Sequence, residues 1–272
     1  MIEVPFDPDL VIGQVRIAWH SIFAFVGMAV GGTLSLRLAR YLVRDDRIYP
    51  FAIAVIAGGL VGARAAHVID NWPRYAGDVL AMISFASGGI GTMGAPIGSS
   101  ITGWLACRWL RLPYGFMFDI TVIGIALGES IGRIGDVVNG EHHGTPCSGL
   151  PWCVGYTNPH TLGQAGPVHF IGLYDGLLML AIFVVLLVYW RRVRGRPPES
   201  RVYWAYLLLL GAGRFLESYL REDPVVAFGL QEAQILGLGY ALAGAGMLGV
   251  LTLRTSSRTD GPEPLHKAAS GR

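Results

Sequence analysis

The sequence predicts an all-α, polytopic integral membrane protein with about seven transmembrane helices, the N-terminus outside and the C-terminus cytoplasmic. Three observations predict it. Hydrophobic residues make up 52% of the 272 residues and charged residues only 15%, against roughly 25% charged in a soluble domain. Mean hydropathy is +0.47. The apolar residues fall into seven runs, and the basic residues crowd into alternate connections between them. High hydrophobicity excludes disorder, which needs the opposite balance. A net charge of +2 is too small to imply nucleic acid. Glycine, at 38 residues, suggests closely packed membrane helices.

A span needs about 20 apolar residues. The first run, 17–37, meets that length, and the acidic, Lys- and Arg-free first fifteen residues before it do not read as a signal peptide. The second, 51–69, holds Gly58, Gly59, Gly62 and a charge, Arg64, near its end. The third covers 88–110. The fourth, 117–138, is the least apolar, with Glu129, Arg133 and Asp136, and its Gly124, Gly128 and Gly132 recur every fourth residue to allow close approach. The fifth is 168–190. The sixth, 202–221, carries Arg214, Glu217 and Arg221 on one helical face. The seventh covers 228–253. Residues 1–254 form one membrane domain, followed by a short polar cytoplasmic tail, 255–272.

Orientation follows from arginine. Arg37, Arg40, Arg44 and Arg47 join spans one and two, Arg108 and Arg111 join three and four, and Arg191 to Arg201 join five and six. The connection 140–167 has no Lys or Arg, and 70–87 has only Arg74. The positive-inside rule places the arginine-rich loops in the cytoplasm and 140–167 outside. Cys147 and Cys153 lie in that exterior loop, where they form a disulfide or remain two thiols. Cys107 reads as a small packed side chain. No Cys and His spacing matches a structural zinc site, and the adjacent pair His142 and His143 is a weak metal signal, so no metal and no cofactor is expected.

Charges at membrane depth cost about 2.5–3.5 kcal/mol each and usually face a protein interior or cavity. In one reading they neutralise one another: Glu129 with Arg133, and Glu217 with Arg214 or Arg221. In the other they form an anion site, because the guanidinium fork suits phosphate, and several arginines near one membrane surface suit a phospholipid headgroup. Embedded arginines outnumbering embedded acids favours the second.

One segment carries a resemblance. Gly132, Arg133, Gly135, Asn139, Gly140, Glu141 and Gly144 match the pattern G-R-x-G-N-x-x-N-G-E-x-x-G, and so the chain resembles the bacterial prolipoprotein diacylglyceryl transferases. Other parts agree in order. Gly58 to Arg64 with Asn71 and Trp72 resembles the family's second span. Gly88 to Gly98 resembles G-G-x-x-x-H-G-G-x-x-G. Leu150 to Trp152 falls on a family tripeptide. Leu173, Tyr174 and Asp175 resemble the end of H-P-x-Q-L-Y-E, and Gly211 to Arg214 with Glu217 and Arg221 resembles the sixth-span motif. The similarity covers about residues 15–250.

The resemblance implies a bacterial plasma-membrane enzyme that moves the diacylglyceryl group of phosphatidylglycerol onto the lipobox cysteine of a preprolipoprotein signal peptide. It implies catalytic roles for Arg133, Arg214 and Glu141. Lipid and peptide binding then involve Arg133, Asp136, Asn139, Gly144, Arg64, Glu217, Arg221 and His20. Membrane lipid and the lipobox peptide are the expected partners, with no nucleic acid.

The sequence also departs from the pattern. The His of H-G-G is Met93, which can neither accept nor donate a proton. The first Asn of the signature is Asp136. The first-span motif W-Y-G-x-x-Y reads Trp19, His20, Ser21, Ile22, Phe23, Ala24. In the fifth-span motif, beginning at His169, the Pro and Gln are gone and Asp175 replaces Glu. Two readings follow: a transferase with rebuilt proton handling, for which His20, His67, His142, His143 and His169 are candidates, or a paralogue that binds phospholipid without this activity or with another acceptor.

Overall fold

The structure, a computed structural model, describes residues 1–84, 91, 94–196 and 198–259. Its order is β1 (Ile2–Val4), β2 (Asp9–Ile12), β3 (Val15–Ala18), α1 (Trp19–Ala39), α2 (Ile48–Asp70), α3 (Trp72–Tyr75), α4 (Val79–Ile83), α5 (Ala95–Leu110), α6 (Tyr114–Asn139), β4 (Val154–Tyr156), α7 (Ile171–Val193), α8 (Arg201–Glu217), β5 (Val225–Ala227), β6 (Leu230–Gln231) and α9 (Glu232–Thr259). A helix overlaps each expected span, although part of the third, 88–110, lies outside the described residues and α5 begins at Ala95. Five of them, α1, α2, α6, α7 and α9, are long and apolar enough to cross a membrane. Helices α5 and α8 have 16 and 17 described residues and fall short of that length. The protein is a mostly helical, multi-pass membrane protein.

Local chemistry sets the helix ends. α6 stops at Gly140, whose φ of 75° closes the helix in the left-handed region. At the opposite end, α6 and α8 cap each other. Ser200 and Tyr203 donate backbone N–H bonds to Asp119, and Phe116 donates one to Glu199, which satisfies amides a helix start leaves free. α9 runs to Thr259, so it occupies the first residues of the expected polar tail. Met93 and residues 260–272 lie outside the described residues.

Glycine determines which helices touch. Along α1 and α6, a Cβ on Gly27 would strike the Gly128 carbonyl, and one on Gly31 the Gly124 carbonyl. Two turns further on, Gly135 lies under the His20 backbone. The expected face of α6 is therefore real, and α1 is what lies against it. α2 and α5 pair likewise through Gly58, Gly62, Gly94 and Gly98, and α8 and α9 through Gly211 and Gly237. The main core fills the bundle with Ile123, Leu186, Val202 and Ala126, all fully buried.

The all-α expectation needs correcting at one end. Three two-stranded sheets form there, β1 with β4 parallel and β2 with β3 and β5 with β6 antiparallel. Val4, Val154, Tyr156, Val168 and Phe170 make a second, smaller core. Cys147 and Cys153 are joined in a disulfide. This cap sits over the ends of α6, α7 and α8, opposite the arginine-rich loops. Tyr156 ties it to α6 by donating to the Val137 carbonyl at 3.0 Å, and burial pushes its phenol pKa up.

Candidate active site

A cavity of about 680 Å³ opens between α1, α2 and α6. Its lining includes His20 at one end of α1 and Ala39 at the other, a path of about 28 Å at 1.5 Å per residue. For most of that path the walls are glycine and aliphatic, among them Gly27, Gly31, Ile48, Val55 and Met117. At the cap end they become charged, with Arg133, Asp136, Glu141, His142, Asp175 and Arg214. The pocket is therefore two-faced: one polar end and a long apolar trough.

The polar end is an ion network from four helices. On α6, Arg133 donates to Asp136 Oδ2 at 2.7 Å, one turn along. Asp136 Oδ1 meets His20 Nδ1 at 2.5 Å. His142 Nε2 lies 3.1 Å from Asp136 Oδ2 and 2.6 Å from Arg133 Nη1. Its Nδ1 lies 3.2 Å from Arg221 Nη2. A guanidinium only donates and a carboxylate only accepts. A proton on Nε2 suits Asp136 and leaves Nδ1 to accept from Arg221 but opposes Arg133, whereas a proton on Nδ1 lets Nε2 accept from Arg133 and opposes Arg221.

Asp175, at the start of α7, is the common acceptor. Arg214 Nη1 donates to both its oxygens at 3.2 and 3.3 Å, and Arg221 Nη1 reaches it at 3.4 Å. Arg133 Nη1 is 3.5 Å away. Glu217 lies between Arg214 and Arg221 at 3.4 and 3.6 Å, but the expected stripe is not one helical face, since α8 ends at Glu217 and Arg221 follows a short 3-10 turn in extended backbone. Arg221 also donates to Asp223 through Nε at 2.8 Å. Three buried atoms of the network lack a hydrogen-bond partner among the described residues: Arg214 Nε, a donor, and Asn139 Oδ1 and Glu217 Oε1, both acceptors. A buried donor left unmade is costly, and a guanidinium with a spare N–H is suited to an anionic ligand.

Several expectations change. Glu129 does not pair with Arg133, because the Arg133 guanidinium goes to Asp136 and Asp175 at the cap end. Glu129 instead borders the cavity wall. Arg64 does not join the site. Its guanidinium donates to the Ala81 and Met82 carbonyls at the end of α4, and it lies over the Tyr75 ring. Embedded arginines do not outnumber acids, since Asp136 and Asp175 were not counted against them. Asp175 is the residue sequence reasoning left out of the site, although a lone acid at the start of an apolar run marked it. His142 was weighed only as a metal ligand or a base.

The remaining expected residues gather around the network. Asn139 Nδ2 donates to Glu141 Oε1 at 2.9 Å, while Glu141 Oε2 is 3.4 Å from His20 Nδ1. Gly144 bridges to Arg221 and lies against the His169 backbone with no room for a side chain. Ala24, at the position of the family's second Tyr, lines the cavity.

Comparison with known proteins adds the following. A sequence profile described as prolipoprotein diacylglyceryl transferase matches residues 9–250. The chain is similar to a protein of Dehalococcoides mccartyi (strain ATCC BAA-2100), 32% identical over 268 residues, covering 96% of this chain and 99% of the relative. It is 30% identical to one of Gloeobacter violaceus over 256 residues, 92% and 94% of the two chains. It is 29% identical to one of Clostridioides difficile (strain 630) over 231 residues, 85% and 89%. Each of the three is named phosphatidylglycerol–prolipoprotein diacylglyceryl transferase.

Proposed function

The chain belongs to the prolipoprotein diacylglyceryl transferase family, and we propose that it transfers the diacylglyceryl group of phosphatidylglycerol to the lipobox cysteine of a prolipoprotein. The observation that carries this is the two-faced cavity: a path of about 28 Å along α1, close to the full hydrocarbon thickness of a bilayer, apolar for most of its length and ending at Arg133 and Arg214. The acyl chains lie in the trough along α1. The headgroup phosphate lies at the arginines, with Arg214 Nε as an available donor.

The reaction then places demands that these residues meet. The thiolate attacks the glyceryl carbon that bears the phosphate ester. A C–S bond forms, the C–O bond to phosphate breaks, and glycerol 1-phosphate leaves with the bonding electrons. Charge grows on the departing phosphate, and Arg133 and Arg214 stabilise it. Asp175 keeps the arginines at fixed separation despite their mutual repulsion. Arg221 and Glu217 complete that frame, and Asn139 holds Glu141 toward His20. Gly144 brings the cap backbone close to the site.

The wider reading is that of the sequence: seven spans, N-terminus outside, C-terminus cytoplasmic, in a bacterial plasma membrane. Residues 1–254 act as one domain, with 255–272 a tail. The cap, and with it the polar end of the cavity, then faces the compartment where a lipobox signal peptide emerges. The absence of Lys and Arg from 140–167 supports this orientation.

The test is transfer in vesicles. Purified protein receives phosphatidylglycerol and a lipobox peptide with a free cysteine. A peptide mass gain of one diacylglyceryl group, with release of glycerol phosphate, is the expected result. No gain, with a typical family member active alongside, would leave the lipid-binding paralogue as the reading.

A further inference from the structure

Two departures from the family pattern touch each other. His20 stands where W-Y-G-x-x-Y has its first Tyr, and Asp136 where the signature has its first Asn. They are 116 residues apart in sequence and 2.5 Å apart in space. Met93, in place of the pattern's His, has no proton chemistry to offer. We propose that His20, held by Asp136, is the general base that takes the proton from the acceptor thiol. This rests on the transferase reading and deepens it.

The ring orientation carries the inference. Nδ1 faces two carboxylates, Asp136 Oδ1 at 2.5 Å and Glu141 Oε2 at 3.4 Å. Both only accept, so the proton sits on Nδ1. The lone pair is then on Nε2, which has no hydrogen-bond partner among the described residues. The side chain is 37% exposed and lines the cavity. An imidazole whose one nitrogen is fixed by a carboxylate and whose other is open to the reacting group is the arrangement of a working base. Asp136 touches no substrate in this scheme, and so is a positioning residue.

The other histidines among the described residues do not meet these conditions. His142 lines the cavity, but both its nitrogens are engaged, and the flanking Arg133 and Arg221 guanidinium groups oppose a further positive charge. His67 bonds to Tyr75 and Asn71. His143 bonds to the Leu162 carbonyl, His160 to Asp7 and His169 to Tyr174. None of these four lines the cavity.

The backbone enforces the pairing. Gly135 has no room for a Cβ beneath the His20 Cα, so α1 is pressed onto α6 where the imidazole must meet the carboxylate. The proton path balances: the thiol hydrogen moves to His20 Nε2, the sulfur attacks, and the imidazolium returns its proton to the released glycerol phosphate or to water. Its charge is compensated meanwhile by Asp136 and Glu141, with Arg133 on the far side of Asp136.

The experiment compares wild type, His20→Gln, Asp136→Asn and the double variant, full length in phosphatidylglycerol vesicles with a lipobox peptide, from pH 6 to 9.5. Gln can still donate to Asp136 but is not a base. At pH 7, His20→Gln should lose about 10²–10⁴-fold in rate, with phosphatidylglycerol binding unchanged. The deficit should shrink toward pH 9.5, because a free thiol ionises by itself around pH 8.5. Asp136→Asn should also be slow, and the double variant no slower than the worse single one, as for residues that act as a unit. An active wild type with His20→Gln within threefold of it overturns the base alone, as does a deficit that is the same at every pH. Loss of wild-type activity to a chelator, restored by zinc, would assign His20, Asp136 and Glu141 to a metal and overturn the base too. An inactive wild type beside an active family member overturns the transferase reading and the base together.

Discussion

The three arginines of the site share one acid, Asp175, beside the separate partners each has in Asp136, Glu217 or Asp223. Arg214 and Arg221 donate to Asp175, and Arg133 lies 3.5 Å from it. Two predictions follow at this scale. Arg133→Ala and Arg214→Ala should each lower transfer by about 10²–10³-fold, the cost of removing one donor from a developing anion. Both proteins should still insert and bind detergent normally, and full activity in either would remove the phosphate site. Asp175→Asn should act on stability as well. It removes the shared negative charge and sets an amide N–H2 against the buried cations, a loss of up to about 3–5 kcal/mol for a broken buried pair. A thermal midpoint equal to wild type would show that Asp175 is not the frame. The sequence pointed to most of these residues, Arg214, Glu217 and Arg221 by their spacing in an apolar run and Arg133, Asp136, Asn139 and Glu141 by the resemblance of 132–144 to a family pattern. Asp175 was not among them, since nothing along α7 shows which helices it faces. Arg64 misled for the complementary reason. A charge at depth signals a buried partner, and among the described residues the Arg64 guanidinium donates to carbonyls of α4.

Glycine governs the helices more than side-chain shape does. α1 and α6 meet where Gly27 and Gly31 face Gly128 and Gly124. Gly31→Leu should therefore force the two apart and lower the thermal midpoint, on the scale of about 1–3 kcal/mol for overpacking. Gly32, one residue on, has open space around its Cα, so Gly32→Ala is the control that should leave the midpoint unchanged. Gly135→Ala is a different case. It displaces the start of α1 and with it His20, so transfer should fall more than stability does, which paired rate and melting measurements would separate. The four-residue recurrence of Gly124, Gly128 and Gly132 was visible in the sequence. That its partner is α1 was not, because hydropathy reports which residues leave water and not which neighbour receives them. The caps of α6 and α8 escaped for the same reason, as Asp119 and Ser200 are 81 residues apart.

For the whole molecule, the bundle was legible and the cap was not. Twenty apolar residues in a row is a strong signal. Three-residue strands such as β1 and β4, paired across about 150 residues, carry no pattern. The disulfide closes a short loop of this cap, where about 2 kcal/mol is the loop-entropy expectation. Reductant should lower the thermal midpoint while the transfer rate at low temperature stays the same, because Cys147 and Cys153 do not reach the cavity. A midpoint unmoved by reductant would remove the bond from the stability of the cap. The ion pairs also bear on how the chain is made. Arg133 with Asp136, and Arg214 with Glu217, are bonds within a single helix. Each forms as soon as its helix does, before the other helices of the network exist. A helix leaving the translocon can thus enter lipid with these pairs already neutralised, although α6 also carries Asp119 and Glu129, which have no ion-pair partner on it. Asp175 has no such companion, yet α7 has a mean hydropathy of 2.5, the highest of the five candidate spans. Insertion is therefore eased in two ways, by pairing within α6 and α8 and by excess hydrocarbon on α7.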